Sequence, residues 1–256
     1  MAQQPSYGTW IRVNKLVMFS ALFLVCLILA FIFHNPYLRA GCLILSLPFL
    51  YISSILTYIT YQFSSRGGNL QFNIHDVIRK NISIEAGNRV LDIGTGSGAL
   101  LIHLAQTTPT AQFVGIDSWG RDWQYSQEQC EQNADIECVA EYTKFVRASA
   151  SSLPFEDNSF DRVVSCLTFH EVKDEPEKDR LLGEALRILK KGGKFVFIDL
   201  FADTSVFGTQ EQLLGTLKNQ GILQPVFMDL GQEIPIPKLL LSSKILGNAM
   251  ILTGQK

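Results

Sequence analysis

The chain is poor in the residues that build metal and redox centres. Of 256 residues, four are histidine and five are cysteine. Cys26, Cys42, Cys130, Cys138 and Cys166 form no C-x-x-C pair, and no His/Cys grouping has ligand spacing. Zinc-site and dithiol patterns are thereby excluded, and the cysteines read as reduced structural thiols. No metal is expected. Charge of one sign is not in excess either: 22 Lys+Arg face 24 Asp+Glu, a net charge of −2. No overall basic field exists to attract nucleic acid, so nucleic acid is not an expected partner. No long-period repeat is visible, which argues against solenoids and propellers.

Charge is missing altogether from two long stretches. Residues 16–33 are apolar except for Ser20, and residues 40–63 carry Pro48 among Ser, Thr and Tyr but no ionisable acid or base. Eighteen helical residues nearly match the roughly 30 Å hydrocarbon core of a bilayer. Two adjacent uncharged runs leave no polar face for water, which favours a pair of transmembrane helices over a buried hairpin. A cleaved signal peptide is the rival for the first run, since Arg12 and Lys15 precede it. No small-x-small site follows, and Arg39 spoils the lipoprotein-like Ala40-Gly41-Cys42. Arg12 and Lys15 at one end, and Arg66, Arg79 and Lys80 beyond the other, outnumber Arg39 in the 34–39 turn. The positive-inside rule then places both termini, and the domain that follows, in the cytoplasm. The expected organisation is an anchor over 1–66 and a globular domain over 67–256, joined by the small, polar stretch 64–69.

After the linker, short apolar runs alternate with helical patterns. Strands are expected at 89–93, 112–117, 144–148, 160–166, 194–200, 225–229 and 248–253. Helices are expected at 72–81, 99–106, 123–133, 177–190 and 210–220, with Gly192-Gly193 stopping the fourth. Such alternation implies an α/β fold with a mostly parallel sheet covered on both faces. In these sheets the ligand lies beyond the carboxyl ends of the strands. The run Val90-Leu91-Asp92-Ile93-Gly94-Thr95-Gly96-Ser97-Gly98 joins a buried strand to a helix through a glycine turn, where a ligand can approach the backbone. Asp117 ends the second strand, where a carboxylate can accept two ribose hydroxyls.

Four ordered motifs, VLDIGTGSG, GIDSWG, LPFEDNSFDRVVSCLTFHEV and LKKGGKFVFIDL, resemble class I methyltransferases that use S-adenosylmethionine. The likeness covers about residues 72–256 and is nearest to the small-molecule branch that includes quinone-pathway and sterol enzymes. It implies a Rossmann-like methyltransferase fold with a seven-stranded sheet. It also implies that Asp92, Gly94, Thr95, Gly96 and Gly98 hold the methionine part, and Asp117 the ribose. Ser118 and Trp119 can line the adenine, with Trp119 as plain core the other reading. Many members place an acid before Leu-Pro-Phe to accept the adenine amino group. Here Ser149 stands at that position, so neutral Ser149 or backbone near Ala150 must serve.

His170 and Glu171 follow the fourth strand, in a loop that faces the transferred methyl group in the family. A histidine there can take the acceptor's proton or merely shape the pocket. Asp161 reads as a loop-orienting acid. Lys173 to Arg180 reads as a solvated helix start with Pro176 in its first turn. Asp199 and Asp203 read as loop acids facing water, with lining of the acceptor side the other reading. The anchor implies a small-molecule or lipid acceptor at the membrane. Two other functions fit parts of the sequence. Gly94-x-Gly96-x-x-Ala99 with Asp117 satisfies a relaxed dinucleotide fingerprint, hence an NAD(P)-dependent oxidoreductase. Asp92 and the absence of a Tyr-x-x-x-Lys dyad count against it. A non-catalytic cofactor-binding module is the third, hinted at by Ser149 alone.

Overall fold

The computed structural model describes residues 4–120, 125–243 and 245–256. They form two compact units, one of residues 8–72 and one of residues up to 7 together with 73–256.

The first unit is a helical hairpin of α1 (Val13–Ile32) and α2 (Pro36–Phe63). Both helices are long and apolar enough to cross a membrane. Their outward side chains stay uncovered, with Phe31 88% and Ile44 67% exposed. The turn is shorter than the expected 34–39. Asn35 accepts from the Tyr37 and Leu38 N–H groups, and Pro36 sits in the first helical turn, so Tyr37 and Arg39 are helical. Inside α2, the hydroxyls of Ser46, Ser53, Thr57 and Thr60 donate to carbonyls three or four residues back, so these four hydroxyls need no water. Phe19 packs on Phe49 and Trp10 on Phe63 across the pair.

The second unit has the expected Rossmann-like architecture. After α3 (Leu70–Asn81), whose first turn belongs to the hairpin unit, come β1 (Arg89–Ile93), α4 (Ala99–Thr107), β2 (Gln112–Asp117), α5 (Gln127–Ile136), β3 (Thr143–Arg147) and β4 (Phe160–Cys166). Then follow α6 (Lys178–Arg187), β5 (Leu189–Asp199), α7 (Thr204–Phe207), α8 (Gln210–Asn219), β6 (Leu223–Asp229), α9 (Leu230–Glu233) and β7 (Met250–Gln255). The strands lie in the order β3-β2-β1-β4-β5-β7-β6, all parallel except β7, which is antiparallel to β5 and β6. The order reverses between β1 and β4, and in such sheets the crevice at the carboxyl edge of that point is where ligands bind. Phe160, Phe169, Phe195, Phe197 and Phe201 are fully buried along the β4–β5 side.

Several boundaries differ from expectation, and the larger shifts have visible causes. The helix expected over 123–133 starts at Gln127, where the Ser126 hydroxyl accepts from the Gln129 N–H. Residues 123 and 124 lie outside the described residues. The helix expected over 177–190 begins at Lys178, with Pro176 before it, and ends at Arg187. Its last carbonyls are taken by distant donors: the Ser159 and Phe160 N–H groups reach Ile188 O, and Lys256 Nζ reaches Leu186 O, Arg187 O and Leu189 O. Leu189 therefore pairs with Phe160 as strand, and Gly192-Gly193 lie inside β5 rather than ending a helix.

Candidate active site

The glycine turn between β1 and α4 is closed by neighbours on both sides. Gly94 and Thr95 N–H groups both donate to Ile116 O on β2. Gly94, Gly96 and Gly98 have φ of 76°, 57° and 82°, a region that side chains avoid. A Cβ on Gly94 would lie 2.0 Å from Thr168 Oγ1, which itself donates to Ile93 O. Only glycine fits where the loop after β4 presses on the turn.

Asp92, one residue before the end of β1, is 1% exposed, and its Oδ2 has no hydrogen-bond partner among the described residues. Burial raises its pKa to about 7; the neighbouring Thr95 hydroxyl pulls the other way and the charge of Asp117 adds to the rise. Asp117 is half-buried at the end of β2. Its Oδ2 accepts from Gly96 N–H at 3.0 Å and its Oδ1 from Trp119 N–H at 2.8 Å. Each carboxylate oxygen has a second lone-pair direction, so Asp117 can still accept from a ligand.

Trp119 is buried, and its indole N–H donates to Gly96 O at 2.8 Å. It braces the glycine turn, with Arg147 5.9 Å over its ring. Its φ is 43°, and Leu167 after β4 has φ 54°. Both bulky side chains are held in a conformation they avoid, and both stand just past the carboxyl ends of β2 and β4. Ser118 is exposed. Tyr125, which sequence reasoning passed over, places its ring 3.4 Å from where a Gly96 Cβ would be. Its hydroxyl pKa is raised by burial and by Asp117. Buried Asn133 of α5 donates to Ser97 O and also to Ser6 O, so residues before the hairpin pack beside this turn.

Beyond β3, Ser149 is half-buried and bonded to Ser151 and Asp174, and Ala150 is buried. Across the crevice, His170 and Glu171 sit on a 3-10 turn (Phe169–Glu171) anchored by buried Phe169, whose ring meets Phe197 edge-on at 5.2 Å. His170 Nδ1 lies 2.6 Å from Asp199 Oδ1. Glu171 is more distant, 3.8 Å from His170 Nε2. Asp199 does not face water as the sequence suggests: it is fully buried and also accepts from Phe169 and Leu200 N–H groups. Burial disfavours a charged His170, but the Asp199 bond and charge outweigh it and hold the pKa above the usual value. The structure thus brings Asp92, the glycines, Asp117 and Trp119 together, and pairs His170 with an acid. Asp161 is apart from them, binding Arg89 N–H and Lys190 at the amino end of the sheet, and Asp203 caps α7.

Residues 91–197 match the family model of the methyltransferase domain. The demethylmenaquinone methyltransferase of Staphylococcus aureus (strain JH9) is 29% identical over 153 residues, 58% of this chain and 59% of that protein. The chain thus spans about three fifths of the length of the curated relatives it matches. Among solved structures, the geranyl diphosphate C-methyltransferase of Streptomyces coelicolor A3(2), in complex with Mg2+, geranyl diphosphate and S-adenosyl-L-homocysteine, aligns with a TM-score of 0.56. It is 12% identical, covering 73% of this chain and 80% of that one. A [4+2]-cyclase aligns with a TM-score of 0.54 at 21% identity, covering 72% of this chain and 80% of its own. At such identities the structures show the fold alone, and one fold evidently carries different chemistries. Sequence match and fold agree: residues 91–197 match a methyltransferase domain, and the fold around them is that of class I, S-adenosylmethionine-dependent methyltransferases.

Proposed function

We propose that this chain is a membrane-anchored methyltransferase that moves a methyl group from S-adenosylmethionine to a hydrophobic small molecule or lipid. The observation that carries the cofactor reading is the buried Asp92 oxygen beside the glycine turn, which has no partner among the described residues. A cation placed there would repay the cost of burying the carboxylate, and an amino acid's ammonium is such a cation. Asp117, one strand over, accepts the ribose hydroxyls, and the Gly94–Gly98 turn admits the ligand against the backbone. Bound there, S-adenosylmethionine supplies an electrophilic methyl carbon on its sulfonium.

The chain's own residues do the rest. His170, with Nδ1 committed to Asp199, presents Nε2 to take the proton the acceptor atom loses on methylation. Glu171 lies on the Nε2 side and assists in orienting the acceptor. Two spans with both ends on the cytoplasmic side fit the charge distribution. They also fit the return of the chain, after α2, to the compact unit that holds Ser6 and Tyr7. The S. aureus relative, named for demethylmenaquinone, agrees with a hydrophobic acceptor.

The test is methyl transfer by the full chain in liposomes, using methyl-labelled S-adenosylmethionine with membrane-soluble and water-soluble phenols. The reading predicts label in the lipid extract, dependent on the membrane-soluble acceptor. Label on water-soluble acceptors alone would remove the membrane acceptor, and NAD(P)H turnover without methyl transfer would remove the activity.

A further inference from the structure

The loops after β3 and β4 meet across the carboxyl edge of β1 and β2, the two strands between them. Their meeting point is a three-residue network. Ser149 and Ser151 hydroxyls donate to the same oxygen of Asp174, Oδ2, at 2.7 and 2.6 Å, and the two hydroxyls lie 2.9 Å apart. The Ser151 N–H donates to Ser149 Oγ at 3.2 Å. Asp174 comes 25 residues after Ser149, in the charge run read from sequence as a solvated helix start. It is an acid delivered to the one position of the site where the sequence puts a neutral side chain.

We propose that Asp174, positioned by Ser149 and Ser151, accepts a hydrogen bond from the exocyclic amino group of the cofactor's adenine. This rests on the cofactor reading above. Asp117 pairs with Arg147 in register, and Ala148 N–H donates to Asp117 O at 3.0 Å, so Ser149 stands just past the level of Asp117 on the neighbouring strand. With the ammonium over β1 and the ribose on β2, the base continues toward β3, about 4.8 Å further on. An amino group there needs an acceptor. The serine hydroxyls keep acceptor lone pairs but are neutral, whereas the ionised carboxylate is the stronger acceptor, and both serines bond its Oδ2 rather than its Oδ1. The two hydroxyls hold the acid in place before the ligand arrives, which lowers the ordering cost of binding. Those same bonds depress the Asp174 pKa and keep it ionised at neutral pH.

The experiment is calorimetric titration of the full chain in detergent with S-adenosylhomocysteine and S-inosylhomocysteine, which carries an oxo group in place of the amino group. The wild type should prefer the adenosyl ligand. In Asp174→Asn its affinity should fall about ten- to a hundredfold, and the preference should shift toward the inosyl ligand, because an amide can donate to the oxo group. Adding Ser149→Asp to Asp174→Asn should restore adenosyl preference, since the carboxylate then stands on the β3 loop itself. Asp174→Asn with wild-type affinity and preference overturns the assignment and leaves the cofactor reading standing. A wild type that binds neither ligand overturns both.

Discussion

Two buried acids, Asp92 on β1 and Asp199 at the end of β5, make an instructive pair. Their exposures are 1% and 0%. Asp199 is satisfied by His170 and by two backbone N–H groups, whereas Asp92 keeps an oxygen with no partner among the described residues. Burial of a carboxylate is costly in both places, but only one cost is met inside the fold. A satisfied acid fixes another group and so positions chemistry. An unsatisfied one awaits a cation and so marks a ligand. On the proposed function, the β4–β5 side is preorganised for proton transfer and the β1–β2 side holds the cofactor.

Removing the satisfied acid should have the largest effect. Asp199→Asn places an amide N–H against backbone N–H groups and releases His170, so kcat should drop about 10²- to 10⁴-fold. Cofactor affinity should barely move, and the stability loss should be about 1–3 kcal/mol by thermal denaturation. Asp92→Asn should do the reverse. Cofactor affinity should fall about ten- to a hundredfold in calorimetry, while the ligand-free protein should melt higher at pH 8. If both variants lose affinity equally, the division of labour between the two sides is wrong.

Weaker tests use pH. On the proposed function the cofactor's ammonium pairs with ionised Asp92, whose pKa burial raises to about 7, so affinity should fall by about tenfold per pH unit below that. His170 must be neutral to accept a proton. Asp199 and Glu171 raise its pKa while burial and Lys178 oppose them, so kcat should climb with pH above the usual histidine value near 6.5. The smallest effect concerns stability. Asp92, raised from 3.8 to about 7, binds more protons folded than unfolded, so its contribution to stability falls as pH rises through that window. Buried His75, lowered from 6.5 to about 3 by burial and by His103, binds fewer protons folded, so its contribution is present above 6.5 and lost as pH falls. Melting temperature against pH between 4 and 6.5 should therefore become steeper in Asp92→Asn and shallower in His75→Gln.

Much of the β1–β2 side was legible in sequence because its signals are local. Apolar residues, an acid and alternating glycines occupy one run, and the turn they specify is made by the same residues. Strands read well wherever both faces are buried. The β4–β5 side was less legible because long-range contacts make it. Asp199 looks like a loop acid until Phe169 and His170, thirty and twenty-nine residues earlier, are folded onto it. The one signal available was the contiguous run Phe195-Val196-Phe197-Ile198-Asp199, which ends in an acid as the β1 run does. Lys256 ending α6, Thr168 filling the space at Gly94, and Asp174 reaching Ser149 are likewise invisible to periodicity, which reports faces and not partners.

The central claim is that the crevice beyond β1 and β2 takes a nucleoside bearing an ammonium, not a dinucleotide. The direct measurement is calorimetric titration of the full chain in detergent at pH 8 with S-adenosylmethionine, S-adenosylhomocysteine and NAD(H). The account predicts micromolar binding of both sulfur ligands, weakened about ten- to a hundredfold in Asp92→Asn, and no binding of NAD(H). Binding of NAD(H) with no heat from either sulfur ligand would contradict it.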